Sequence, residues 1–263
     1  MTIKTFQNYA LYCFAIVFLI SCNKRADYYN TLLQVESQIE ENPQEALTTL
    51  QQIDTDNLSG RRTRAKYSLL YSIALDKNYI DTTDIEILQP AIAYYGKKGT
   101  PTDKLKTLYY QGRIYHNRGD EAQAMEYYLN ALEKGEKSND ILTKARIYVS
   151  QGTIYNQLYE FEKFIDANLR AAELFKTAGN NESYFGCMVR ALNGYTRNDD
   201  TIGADSCIQI CKELLPTVSI KRVGDFYSIY LTHLTSEKMH SEIPLIIEEY
   251  TSAVPEEKWE YIT

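Results

Sequence analysis

From residue 28 onward, apolar side chains recur three and four positions apart, the spacing of amphipathic helices. YYNTLLQVESQIEEN predicts a first helix that stops at Pro43. Pro43 then opens a second helix over QEALTTLQQI, to about Ile53, with Asn42 as its cap. DTDNLSG reads as a turn and RRTRAKYSLLYSIALDKN as a third helix. DTTDIEILQPAIAYYGKKG predicts a fourth, kinked or restarted at Pro90, with Gly96, Gly99 and Pro101 as the next break. A helix A from about Asp103 to Arg118 follows, then a turn at Gly119-Asp120, then a helix B from about Glu121 to Glu136. ILTKARIYVSQGTIYNQL and FEKFIDANLRAAELFKTAG form a second such pair. ESYFGCMVRALNGYTRN with ADSCIQICKELLP is a weaker third, and DFYSIYLTHLTSEK with SEIPLIIEEYTSAV a fourth. No window alternates with the period of a strand.

The two clear pairs repeat each other. QGRIYHN at 111–117 returns as QGTIYNQ at 151–157. Gly112 and Gly152 therefore stand about 40 residues apart, a spacing typical of stacked arrays. Glycine inside a helix costs about 0.5–1 kcal/mol relative to alanine. The cost is offset if helix B packs close over Gly112, with Ala124 and Ala131 opposite and Tyr115 and Tyr128 beside the contact. The second pair keeps Gly152, Tyr155 and Ala171 in phase but carries Phe164 and Asn168 where the first has Ala124 and Tyr128. That change predicts looser or shifted packing. The third pair has Gly194 but no clear register after it.

From about residue 28 to the end, the phase of Leu108, Gly112, Tyr115, Ala124, Tyr128 and Ala131 resembles the tetratricopeptide repeat. The resemblance implies an all-α, right-handed α-solenoid of antiparallel helix pairs over 28–263. The period here exceeds the usual tetratricopeptide length of about 34 residues, which implies longer helices or turns. The terminal PEEKWEYIT places Trp259 and Ile262 as if another helix A were starting, which suggests a capping fragment or, preferably, a chain shortened relative to a longer relative.

Composition narrows the possibilities. The chain has 263 residues, 44% hydrophobic and 24% charged, the balance of a folded body. Its net charge of −7 argues against nucleic-acid binding, which needs a basic surface. Its 23 tyrosines suit half-buried helix faces, where the ring packs and the hydroxyl stays wet.

The first 22 residues have the layout of a secretory signal: Lys4, the apolar run LYCFAIVFLI, then Ser21-Cys22. The run is short for a permanent span. LISC resembles the bacterial lipobox, which implies a lipidated Cys22, residues 23–27 as a tether, and a body on the periplasmic or cell-surface side of a membrane. The same LISC, with EENPQEAL, ALDKNYID, AIAYYG and YYQGRIY, makes the whole resemble the tetratricopeptide lipoproteins of Bacteroides-type bacteria. Some members of that family continue into a membrane helix and a cytoplasmic helical or DNA-binding output part, so the resemblance implies that the scaffold could be the sensing half of a signalling protein. Of the remaining cysteines, Cys207 and Cys211 fall on one helix face in poor disulfide geometry, and with Cys187 they read as small core residues.

No HExxH, GxSxG, GxGxxG or P-loop occurs, and the three histidines and many carboxylates have no catalytic spacing, so no enzyme and no cofactor is expected. The expected working surface is the concave face formed by A helices. The resemblance puts Lys106, Tyr109, Arg113, His116 and Asn117 there in one pair, and Arg146, Val149, Thr153, Asn156 and Gln157 in the next. Such a face could hold an extended peptide by hydrogen bonds and take an acidic group on Arg113 or Arg146. Relatives that clamp a terminal carboxylate use Lys and Asn where Tyr109 and Arg113 stand, so that specificity does not carry over. The expectation is a membrane-tethered scaffold for a protein or peptide, or alternatively a nutrient- or glycan-binding lipoprotein using exposed aromatic rings. The basic run RRTRAK at 61–66 reads as a solvated helix face or, alternatively, as a contact for an anionic membrane or partner, the first being favoured because cations are mildly unfavourable at a helix N-terminus.

Overall fold

The computed structural model describes residues 28–255, and the expected signal, tether and C-terminal WEYI segment lie outside them. Every regular element among the described residues is helical. They are α1 (28–38), α2 (Pro43–Gln51), α3 (Arg61–Lys77), α4 (Gln89–Lys98), α5 (Pro101–Asn117) and α6 (Glu121–Lys134), followed by α7 (Ile141–Gln157), α8 (Phe161–Thr177), α9 (Asn181–Arg197), α10 (Thr201–Leu214), α11 (Ile220–Ser236) and α12 (Ile243–Ala253). Helices pack in consecutive pairs, the arrangement of an α-solenoid. The chain divides into two compact units at Gly135/Glu136. In the first, α5 packs on α3, α4 and α6; in the second, α9 packs on α8, α10 and α11.

Local chemistry sets the helix ends. Pro43 occupies the first position of α2, as expected, but the Asn42 side chain makes no capping bond. The predicted fourth helix is split: Ile85–Ile87 is a single 3-10 turn, and α4 restarts at Gln89 with Pro90 in its first turn. Gly96 lies inside α4 rather than in the break. Helix α5 begins at Pro101, slightly earlier than the expected Asp103. Thr100 caps it reciprocally: its Oγ1 accepts from Asp103 N–H at 3.2 Å and its N–H donates to Asp103 Oδ2 at 2.9 Å.

The repeat extends further than the glycines suggest. Helices α3, α5, α7, α9 and α11 begin at residues 61, 101, 141, 181 and 220. Each ends in the same turn, with one residue in the left-handed region: Tyr79, Gly119, Tyr159, Asp199 and Lys238, at φ 57°, 77°, 59°, 53° and 60°. After each, a backbone N–H reaches back to the last turn of the helix, as from Asp120 to Tyr115 O at 3.0 Å and from Asp200 to Tyr195 O at 3.0 Å. Asp120 and Asp200 then cap the following helix through their side chains. Gly119 alone of these five is a glycine, so the repeated turn leaves little trace in composition.

Side-chain exchange explains the uneven repeat. A Cβ on Gly112 would lie 2.4 Å from the Tyr128 ring and 3.2 Å from Ala124 O, so glycine permits the close crossing expected there. At Gly152 the facing residue is Asn168, whose Nδ2 would lie 2.9 Å from an added Cβ. The second pair is not loosened: Phe164, Asn168 and Ala171 are all buried. Phe164 is accommodated by Gly194 on the next A helix, where an added Cβ would meet Ile165 at 2.6 Å and Phe164 at 2.9 Å. Gly194 therefore does not continue the Gly112–Gly152 series. That place belongs to buried Leu192, with Tyr195 in phase with Tyr115 and Tyr155, and Ala204, Ile208 and Cys211 in phase with Ala124, Tyr128 and Ala131. Cys211 thus stands in for a small core residue. Cys187, Cys207 and Cys211 are all buried free thiols.

Candidate functional site

In the first unit the face of α5 is largely bonded to its own chain. Tyr109, expected to be exposed, is only 4% exposed, with its ring edge-on to Tyr110 at 4.9 Å and tilted against Tyr128 at 6.0 Å. It is a core residue. Arg113 Nε donates to Asp76 Oδ1 at 2.8 Å, and Nη2 lies 3.9 Å from Asp81. Burial is the largest single influence and opposes its charge, but the Asp76 carboxylate together with Tyr109 and Tyr128 outweighs it and raises the Arg113 pKa above its ordinary value. Asn117 Nδ2 donates to Thr82 O at 3.1 Å, which with Arg118 to Thr83 O pins the 79–84 turn onto α5. Lys106 and His116 are half-buried and engaged with neighbours.

In the second unit the positions expected on α7 lead to a different arginine. Arg146 and Val149 are half-buried, and Gln157 is exposed. Thr153 Oγ1 donates to Val149 O at 3.1 Å and accepts from Arg190 Nη2 at 2.9 Å. Asn156 Oδ1 accepts from Arg197 Nη1 at 2.7 Å, and Arg197 lies over the Phe161 ring at 4.3 Å. Arg190 Nε donates to Asn168 Oδ1 at 2.8 Å, and its guanidinium sits 5.5 Å from the Phe164 ring centroid. Asn168 is fixed in turn by its Nδ2 donating to Phe164 O at 2.7 Å.

Arg190 borders a cavity of about 340 Å³ between α9 and α11, lined also by Gly186, Val189, Asn193, Arg222 and Ser228. Asp225 reaches the same cavity, but its carboxylate lies toward Arg222, 3.5 Å away. Arg222 also pairs with Glu182 at 3.5 Å, and its guanidinium lies against Gly186, where an added Cβ would come within 3.1 Å. Arg190 has no carboxylate within ion-pair distance among the described residues. Its side-chain partners are the neutral oxygens of Asn168 and Thr153, and they occupy two of the five N–H donors of a guanidinium. Burial therefore pushes its pKa below the ordinary value; the Cys187 thiol opposes this and Arg222 adds to it. Arg113 and Arg190 are both largely desolvated, but only Arg113 has its charge balanced. A partly buried cation without a counter-charge is costly to a fold, and the remaining donors suit a carboxylate entering the cavity.

The sequence contained part of this site. One period after Arg146, Val149 and Thr153 come Gly186, Val189 and Asn193, three of the residues lining the cavity. Arg190 itself falls in phase with Tyr110 and Ser150, both buried. The usable signal was a charge at a core position, hidden while the third pair lacked a register.

No known family model matches the chain, and no curated protein matches it in sequence. In structure it is similar to BtubC (BKLC) from P. vanneervenii, with a TM-score of 0.60 at 11% identity, over 89% of this chain and 90% of that one. The likeness is one of fold. Among the described residues no helix is long and apolar enough to cross a membrane.

Proposed function

We propose that the chain is a tetratricopeptide-type scaffold, tethered outside the cytoplasm through a lipidated Cys22, that holds a carboxylate-bearing segment of a protein partner in the α9–α11 cavity. The observation that carries the reading is Arg190, desolvated and bonded to neutral groups only, at the edge of an open cavity. The partner supplies the missing negative charge, as an Asp or Glu side chain or a chain terminus. Asn193 and Ser228 offer further hydrogen bonds, and Val189 offers apolar contact. The tether rests on the LISC sequence after its apolar run, and the repeat family on the phase of Gly112, Tyr115 and Ala124.

An array of immobilised decapeptides, with and without Asp or Glu and with free or amidated ends, tests the reading. Retained peptides are expected to share a carboxylate. Arg190→Gln is expected to abolish retention while the helical circular dichroism persists. Retention indifferent to carboxylates, or unchanged in Arg190→Gln, contradicts it.

A further inference from the structure

A second cavity, in the first unit, has a different character. It has a volume of about 410 Å³ and lies between the start of α3 and α4. Pro90, Ala93 and Tyr94 give it an apolar side. Its charged lining is Arg61, Arg64, Lys97 and Lys98, four cations and no carboxylate, in a chain of net charge −7. Other basic residues of α3 are compensated: Lys66 pairs with Glu36 at 2.6 Å, Lys77 with Glu40 at 2.6 Å, and Arg62 lies over the Tyr29 ring. The four at the cavity form no ion pair among the described residues. Arg64 is instead positioned by Nε donating to Leu58 O at 2.8 Å.

The fold gives a reason for two of these charges only. Lys97 and Lys98 are in the last turn of α4, where the helix dipole favours cations. Arg61 and Arg64 are at the start of α3, where it disfavours them. Two arginines and two lysines around one space also repel one another, and the repulsion is relieved by a ligand of high negative charge density. Guanidinium forks match phosphate oxygens, and lysines add point charge. The Tyr94 ring and Pro90 offer an apolar surface beside the charged rim.

We propose that this cavity binds a phosphate monoester carrying an apolar or aromatic group. Arg61 and Arg64 are exposed, as the reading of RRTRAK as a solvated face expects, and the phosphate takes the place of the anionic partner in that reading's alternative. This proposal does not depend on the α9–α11 reading.

Calorimetric titration of the full chain with phenyl phosphate, inorganic phosphate, phenol and soluble dihexanoyl phosphatidic acid is the test. Phenyl phosphate is expected to bind at least tenfold more tightly than inorganic phosphate, and phenol not at all. Arg64→Glu with Lys97→Glu is expected to weaken binding more than tenfold. Because Arg64 also holds Leu58 O, Lys97→Glu with Lys98→Glu serves as a second variant that removes no hydrogen bond of the fold. Tighter binding of the phosphatidic acid than of phenyl phosphate assigns the site to a lipid headgroup, and weaker binding assigns it to a soluble phosphorylated molecule; either supports the proposal. No binding of any phosphate, equal binding of inorganic and phenyl phosphate, or binding unchanged in the lysine variant overturns it.

Discussion

Arg190 Nε donates to Asn168 Oδ1 at 2.8 Å, and Asn168 stands one repeat period after Tyr128, at the same place in its helix B. Where the first unit fills that place with a ring lying over Gly112, the second fills it with an amide facing Gly152. The smaller, polar side chain supplies an acceptor that receives the guanidinium at an otherwise apolar level. Asn168→Leu removes that acceptor and leaves a desolvated donor unmet. It is expected to lower stability by about 1–3 kcal/mol in urea unfolding. A urea midpoint indistinguishable from that of the parent would mean that the bond contributes little.

Two glycine-to-alanine changes should have opposite signs. Gly112→Ala drives a Cβ into the Tyr128 ring and is expected to cost about 1–3 kcal/mol as overpacking. Gly96→Ala meets nothing within 4 Å inside α4 and is expected to gain about 0.5–1 kcal/mol. Thermal melts of the two variants beside the parent decide the matter, and a gain for Gly112→Ala would refute the close crossing of α5 and α6.

The repeated left-handed turn makes a stabilising change available. Tyr79 is 95% exposed at φ 57°, so its ring contributes little burial while its backbone is strained. Tyr79→Gly is expected to raise stability by about 1 kcal/mol. Tyr159→Gly should gain less, because the Tyr159 ring packs edge-on to Phe161 and lies beneath Arg197. A denaturant series on both variants checks the order.

The buried thiols predict a pH dependence. Burial pushes Cys187 and Cys207 each up to about 12, from an ordinary value near 9, and raises Cys211 in the same direction. Because the folded pKa values are the higher ones, the stabilisation is complete below pH 9 and declines as pH rises from 9 toward 12. The urea midpoint should therefore fall over that interval. At pH 8, mass spectrometry after brief exposure to iodoacetamide should find these three residues unmodified in the native chain and modified in urea.

The helical repeat was legible because Gly112, Tyr115 and Ala131 recur in kind as Gly152, Tyr155 and Ala171. Its continuation was not, because Leu192 replaces the glycine while Ile208 and Cys211 take the places of Tyr128 and Ala131. Packing preserves the sum of volumes across facing helices rather than the identity at one position. The turn after each A helix was hidden for another reason: the backbone hydrogen bonds that close it, from the next residue back to the last helical turn, hold the exposed Tyr79, Tyr159, Asp199 and Lys238 in a backbone region that sequence reading reserves for glycine. Arg113, expected to take an acidic group, is already paired with Asp76 because side-chain bonding runs between repeats. Asp76 with Arg113, Thr153 with Arg190, and Thr196 with His233 share one sequence separation, each linking one A helix to the next. Nothing within a single repeat tells which arginine has found its carboxylate.

The most direct test of the central claim, that Arg190 holds a partner's carboxylate, is a double-mutant cycle measured by calorimetry. A peptide retained on the array is titrated with its carboxylate intact or converted to the amide, against the parent chain and Arg190→Gln. The account predicts that each change alone weakens binding and that the amide adds little once Arg190 is gone, a coupling of about 1.5–3 kcal/mol. Effects of the two changes that simply add would show that the carboxylate is bound elsewhere.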